Sequence, residues 1–182
     1  MLPAGDTHFP VLYSWEKAEK HKALYTCRPP HEPPPGLEEY VKRQKEKIET
    51  KERLVFVLVS RQNPTMPLGK VTLFDHNSRN HSAEFGYYLP PEQRGKGLGS
   101  LMTALFLARV FQQPELSLNK LYATTAGNNL PSMHMLERLG FHLDGRMREH
   151  YWIEDARYDQ LCYSILQREW LAWKIKNEVK KV

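Results

Sequence analysis

Gln93-Arg94-Gly95-Lys96-Gly97-Leu98-Gly99-Ser100 is the stretch on which the reading of this chain turns. It follows an apolar segment, Ala83 to Leu89, that reads as a strand. It opens a helical period carried by Leu98, Leu101, Met102, Leu105, Phe106 and Ala108. Glycines at 95, 97 and 99 let the backbone pass close to a bulky anion, with amide hydrogens unobstructed by Cβ atoms. The unpaired amides and dipole of the helix start then make a pyrophosphate site, to which Arg94 and Lys96 add positive charge. The bland alternative is a glycine-rich turn that only caps a helix. Two other phosphate patterns fail. A P-loop needs Gly-Lys-Ser/Thr, but Lys96 is followed by Gly97. A dinucleotide fingerprint needs a glycine where Ser100 stands, and an early strand of a parallel sheet.

Upstream of this loop the pattern is β. Leu54 to Val59 is a continuous apolar run typical of a buried strand, Leu68 to Phe74 alternates, and turns at Asn63-Pro64 and Asn77–Asn80 join these to Ala83–Leu89. Three strands joined by turns predict an antiparallel meander. Before them, Trp15–Leu24 reads as a short helix with Ser14 as N-cap, and Leu37, Tyr40, Val41, Gln44 and Ile48 mark a second helix ending near Arg53. Between the two, Arg28–Gly36 holds five prolines in nine positions and reads as a stiff loop. Downstream come a strand at Leu121–Thr125, a helix marked by Met133, Leu136 and Leu139 and stopped by Gly140, strands at Phe141–Met147 and Tyr158–Leu166, and a last helix with Trp170 and Trp173.

Length and composition set the outer limits. A chain of 182 residues with 41% hydrophobic and 26% charged residues suits one domain with a core of its own, and excludes whole-chain disorder. Cys27 and Cys162 lie far apart with no partner motif, which argues against a disulfide scaffold or a cysteine zinc site and fits a reducing compartment. The start lacks a basic segment followed by an apolar one, and the longest apolar runs fall short of a membrane span. A cytoplasmic protein is therefore expected. The net charge of +5 favours anionic partners without choosing among them. The eight histidines show no metal-ligand spacing, so no metal is expected, and no nucleic-acid motif appears. The lysines at 174, 176, 180 and 181 read as a solvated helix end.

Arg94, Gly97 and Gly99 form an Arg-x-x-Gly-x-Gly pattern that resembles the pyrophosphate loop of the GNAT superfamily of N-acetyltransferases. A second block agrees. Asn129-Leu130-Pro131-Ser132, then Leu139-Gly140-Phe141, is similar to the Asn-x-x-Ser and Leu-Gly-Phe of the branch that acetylates ribosomal-protein N-termini, polyamines and amino sugars. Gly145, Asp159, Tyr163 and Trp170 fit that branch's ending. The resemblance implies an α/β fold of the GNAT type, a central, mostly antiparallel mixed sheet flanked by helices. It implies one N-acetyltransferase domain over 1–182, with 54–170 as the acetyl-CoA-binding core and 1–53 as a variable, helical, substrate-side region. It admits a homodimer.

The resemblance also implies roles, and chemistry constrains them. An alkyl ammonium has a pKa near about 10, so a base must take a proton before the amine attacks. Glu84, on the strand leading into the glycine loop, is the expected base, acting through water. Tyr87, Tyr88 and Leu89 lie where backbone groups of the family pair with the pantetheine arm and polarise the thioester carbonyl, a stabilisation typically worth several kcal/mol. Arg94, Gly95, Lys96, Gly97, Leu98, Gly99 and Ser100 would hold the pyrophosphate, and Asn129 would bind the same co-substrate. Polyamine acetylases of the branch place an acidic tyrosine seven residues after that asparagine. Here the position is Leu136, which leaves Ser132 to hydrogen-bond the leaving sulfur, or else to serve only the start of its helix.

The expected activity is acetyl transfer from acetyl-CoA to a primary amine by direct attack. The acceptor would be a protein N-terminus, an amino sugar, an antibiotic or a polyamine. Neither cysteine has an adjacent base in sequence, so no acyl-enzyme is expected. The competing reading is a non-catalytic acyl-CoA sensor or interaction module on the same fold.

Overall fold

The computed structural model describes residues 1–19 and 36–179. Along the chain run β1 (Leu2–Pro3), α1 (Phe9–Ala18), α2 (Leu37–Glu49), β2 (Arg53–Val59), β3 (Pro67–Asn77), β4 (Ser82–Tyr88), a 3-10 turn (Pro91–Gln93) and α3 (Leu98–Val110). They are followed by β5 (Lys120–Ala126), α4 (Leu130–Arg138), β6 (His142–Ile153), β7 (Ala156–Leu166) and α5 (Gln167–Val179). The seven strands form one sheet in the order β1-β2-β3-β4-β5-β7-β6. Every neighbouring pair is antiparallel except β4 and β5, which are parallel and joined by the crossover through α3. This is the expected mixed sheet. The two-residue strand β1, pairing Leu2 with Val57, is too short to leave a periodic signal.

Two helical layers explain the hydrophobic patterns. Phe56 and Leu58 of β2 join Val71, Leu73, Ala83, Phe85, Leu121 and Ala123 in a core covered by α3, α4 and α5. Val55 and Val57 point the other way, into a second cluster with Phe9 and Leu12 of α1 and Tyr40 of α2. So β2 is buried on both faces and reads as an unbroken apolar run, whereas β3 alternates. Across β4, β5 and β7 the α1–α2 face of the sheet is only half-buried at Glu84, Tyr88, Tyr122, Thr124 and Cys162. Among the described residues, that face stays open.

The first helix differs from expectation. It begins at Phe9, six residues before Trp15, with Pro10 in its first turn where the missing N–H costs nothing. Ser14 lies inside the helix and donates to the Val11 carbonyl at 2.7 Å, so it is not an N-cap. The cap position is His8. Its Nδ1 accepts from the Gly5 N–H and its Nε2 donates to the Pro64 carbonyl, both at 3.0 Å, which ties the N-terminus to the β2–β3 turn. Residues 20–24 of that expected helix, Cys27 and most of the proline-rich loop lie outside the described residues.

The Leu139-Gly140-Phe141 block is explained by the end of α4. Gly140 has φ +87°, and the Phe141 N–H bonds the Leu136 carbonyl while the Gly140 N–H bonds that of Glu137. This is a Schellman closure, which turns the chain so that Leu139 and Phe141 both enter the core. The closing residues of the chain are structural as well. Asp159 accepts from the Glu149 N–H and from Arg146, Tyr163 donates to Glu137 at 3.0 Å, and Trp170 stacks on Trp173 at 5.1 Å.

Candidate active site

The strands β4 and β5 pair only over Ser82–Glu84 and Lys120–Tyr122. Each keeps its other neighbour for longer, β4 pairing with β3 up to Tyr88 and β5 pairing with β7 up to Ala126. Beyond Glu84 and Tyr122 the two strands therefore part, leaving backbone edges of both available. A cavity of about 70 Å³ opens in the split, lined by Phe85, Gly86 and Tyr87 on one side, Thr124 and Thr125 on the other, and Asn129 and Ser132 at its α4 end. A broader, open depression of about 610 Å³ runs along α2 and shares no residue with the split.

Glu84 stands at the last paired position of β4, opposite Tyr122. Ala83 and Phe85 are buried in the core, so strand alternation puts Glu84 on the opposite, open face. Its Oε1 accepts a hydrogen bond from the Thr124 hydroxyl at 3.0 Å. The surroundings carry negative potential. Burial raises the Tyr122 phenol above its usual range, and the carboxylates of Glu84 and Asp75 push it further. Burial likewise raises the Cys162 thiol; Asp144 and Glu84 add to the rise, and Lys120 opposes it. A thiol held up in this way is poorly suited to nucleophilic attack near neutral pH.

The two tyrosines diverge. Tyr88 faces α1, its ring 5.7 Å from that of Trp15, and the Arg94 guanidinium lies 5.8 Å above it. Tyr87 shares the parity of Phe85 and reaches α4, where its hydroxyl donates to Ser132 Oγ at 2.8 Å. Ser132 does not cap its helix. Asn129 is the N-cap: the Ser132 N–H donates to its backbone carbonyl at 3.1 Å and to its side-chain oxygen at 3.4 Å. Leu136 is fully buried in the core.

The glycine loop has the conformation its composition predicts. Gly95 and Gly97 have φ of +73° and +74°, and Gly97 is the N-cap of α3, which has neither a side-chain cap nor an acidic residue in its first turn. The first amides of α3, from Leu98 to Ser100, are thus left for an anion. Lys96 is exposed beside them. Arg94 is turned back: Nε donates to the Leu89 carbonyl at 2.9 Å and a terminal nitrogen to Glu19 at 2.7 Å, bracing the end of β4 against α1. Leu89 itself packs over Gly69 and Gly99.

Three residues of the site escaped sequence reading: Thr124, Thr125 and the side chain of Tyr87. Strand parity places Tyr87 on the core face, but only the folded position of α4 gives its hydroxyl a partner. Thr125 Oγ1 is buried, lines the cavity and lacks a hydrogen-bond partner among the described residues. An orphaned buried hydroxyl in the split suits a ligand with polar groups along its length, as the amides of a pantetheine arm are.

Comparison with known proteins agrees with this geometry. The sequence model of the Acetyltransferase (GNAT) domain matches residues 1–142. An uncharacterised prophage-derived N-acetyltransferase of Bacillus subtilis, YokL, is 32% identical over 74% of this chain and 71% of its own length. The putative ribosomal N-acetyltransferase YdaF of the same organism is 31% identical over 56% of this chain and 55% of its own. The Escherichia coli spermidine N(1)-acetyltransferase is 31% identical over 57% and 55%. The chain thus spans about half the length of these last two relatives. The solved spermidine N-acetyltransferase of Vibrio cholerae in complex with CoA and spermine has a TM-score of 0.80 at 24% identity, covering 93% of this chain and 95% of that one, and so shares its fold. The split sheet, the open glycine loop and a family match over most of the chain lead to one conclusion: this chain belongs to the GNAT acetyltransferase family.

Proposed function

We propose that this chain transfers the acetyl group of acetyl-CoA to a primary amine by direct attack, in the cytoplasm. The observation that carries this reading is the position of Glu84, at the apex of the β4–β5 split and on the open face of the sheet. Acetyl-CoA supplies an activated acyl group. The pyrophosphate rests on the amides of the loop from Arg94 to Ser100, with Lys96 adding charge and Asn129 at the far end of the split. The backbone of Tyr87, Tyr88 and Leu89 holds the pantetheine arm and donates to the carbonyl oxygen as charge develops there. Thr125 offers its hydroxyl to the same arm.

The acceptor arrives as an ammonium ion, and the negative potential from Glu84 and Asp75 favours its approach. Glu84 removes its proton through water. The raised Cys162 thiol is poorly suited to an acyl-enzyme route, which favours direct attack. The acceptor class is a protein N-terminus, an amino sugar, an antibiotic or a polyamine; one relative is named as a putative ribosomal N-acetyltransferase and another as a spermidine N(1)-acetyltransferase.

A thiol-release assay with acetyl-CoA against N-terminal peptides, polyamines, amino sugars and aminoglycosides tests the proposal, with acetyl-CoA affinity measured in parallel. Turnover with one class is the expected result. Binding without turnover across the panel would favour a non-catalytic sensor, and absence of binding would overturn the assignment of the split and loop.

A further inference from the structure

Proton flow during acetyl transfer has two ends. An ammonium acceptor gives up two protons on becoming an amide, one before it attacks and one from the attacking nitrogen, and the sulfur of coenzyme A must gain one if it is to depart as a thiol. The first end is served by Glu84. At the second, the α4 position that holds an acidic tyrosine in polyamine acetylases of the branch is Leu136, which is fully buried and has no proton to give.

The cavity contains another tyrosine. The Tyr87 hydroxyl lies 2.8 Å from Ser132 Oγ, and both residues line the split. A phenol is the stronger donor of this pair and its oxygen the weaker acceptor, so Tyr87 gives its hydrogen to Ser132. A serine that accepts in this way turns its own hydrogen elsewhere, and Ser132 stands at the cavity wall. The pair therefore forms a directed chain: Tyr87 O–H to Ser132 Oγ, then Ser132 O–H toward the cavity. A thiolate left in so small a space would be poorly solvated, which makes a donor there valuable.

We propose that Tyr87 is the proton source for the leaving sulfur, acting through Ser132. As the C–S bond breaks, its electron pair stays on sulfur. The Ser132 hydroxyl hydrogen passes to sulfur while the Tyr87 hydrogen passes to Ser132 Oγ. The phenolate that remains recovers one of the two protons that the amine releases by way of Glu84 and water, and the other passes to solvent. Phenol and thiol acidities differ by only about 1.5 pKa units in their unperturbed states, so the proton can be shared along the chain. Tyr87 is a relay that touches sulfur only through Ser132, and it takes over the acid role that Leu136 cannot fill. This inference rests on the acetyl-transfer reading for its reaction, but the reach of the relay to sulfur can be measured without an acceptor.

The test uses the full chain with Tyr87→Phe, Ser132→Ala and the double variant. With the best amine of the panel, Tyr87→Phe is expected to lower kcat by about 10- to 100-fold, within the usual range for a proton donor, with the KM for acetyl-CoA within about twofold. The double variant should be no slower than the slower single one, because the two groups act in series. The alkaline limb of the wild-type kcat profile should be lost in Tyr87→Phe, and should move to lower pH when a fluorinated tyrosine, a stronger acid of nearly the same shape, replaces Tyr87.

The second readout is calorimetry of coenzyme A against desulfo-coenzyme A over the pH range in which the thiol ionises. The wild type should favour coenzyme A increasingly as pH rises, since the relay stabilises the thiolate, and both single variants should lose that trend. Equal losses for coenzyme A and desulfo-coenzyme A would make the pair a structural prop and overturn the inference. So would an unchanged alkaline limb in Tyr87→Phe. Failure of the wild type to turn over any amine would instead strike the acetyl-transfer reading, while the two-ligand calorimetry still decides whether the relay reaches sulfur.

Discussion

Thr124 donates a hydrogen bond to Glu84 across the point where β4 and β5 separate, 3.0 Å from hydroxyl to carboxylate. The bond fixes the carboxylate at the mouth of the split without neutralising it. Glu84→Gln keeps an oxygen that can accept from Thr124, so it removes the proposed base and little else. Turnover is expected to fall by roughly 10² or more, while acetyl-CoA affinity, measured by calorimetry, stays within about twofold. Undiminished turnover would show that the proton leaves by another route.

The glycine loop proposed to hold the pyrophosphate depends on backbone conformation more than on space. At Gly97, φ is +74° and an added Cβ would meet no atom within 4 Å. Gly97→Val therefore suffers the left-handed penalty of about 1–2 kcal/mol per residue, with no steric clash to confuse it. Acetyl-CoA affinity should weaken about tenfold. Gly97→Asn should lose less, because asparagine visits this conformation readily. Equal losses for the two variants would mean that the turn itself is not what the glycine provides.

Gly69 on β3 makes room for the residues that lead into the loop. A Cβ there would stand 2.6 Å from Leu89 Cδ2, 2.8 Å from Met102 Sδ and 3.1 Å from the Tyr88 carbonyl oxygen. The side-chain ends can shift, but the backbone oxygen cannot do so cheaply. Gly69→Ala should lower unfolding stability by about 1–3 kcal/mol through overpacking. In urea this appears as a lower midpoint with an unchanged slope. An unaltered midpoint would show that Leu89 and Met102 have slack.

The order of the elements after β1 was legible because they carry their own periods, from the two-faced burial of β2 to the helical spacing of α3. The loop was legible because Gly95 and Gly97 need left-handed backbone and few residues other than glycine adopt it. The start of α1 was not, because Pro10 in a first turn and Ser14 within a helix reverse their commoner meanings. Nor were Thr124 and the Tyr87–Ser132 bond. Each depends on how a strand or helix distant in sequence is placed, Thr124 through the parallel register of Glu84 with Tyr122 and Tyr87 through the seating of α4. Arg94 is a further case, since its charge was evident and its turn toward Glu19 and Leu89 was not.

At the far side of the open face, Asp144 ties β6 to its neighbours. Lys120 donates to its carboxylate at 2.5 Å and Ser164 at 2.7 Å. These bonds, that of Lys120 foremost, hold the carboxyl below the usual aspartate range. A carboxyl with a lower pKa in the folded state binds fewer protons there than in the unfolded chain. Its stabilisation is therefore present above the ordinary value of about 3.9 and fades as pH falls through the folded value. Wild type should be more stable than Asp144→Asn at neutral pH, with the difference shrinking below about pH 4. The carboxylate is 36% exposed, so added salt should shrink the difference too. Thermal unfolding across pH at two salt concentrations checks both effects. A difference independent of pH and salt would assign the role of Asp144 to shape, and the Lys120 pair would then contribute nothing to holding β6 beside β7.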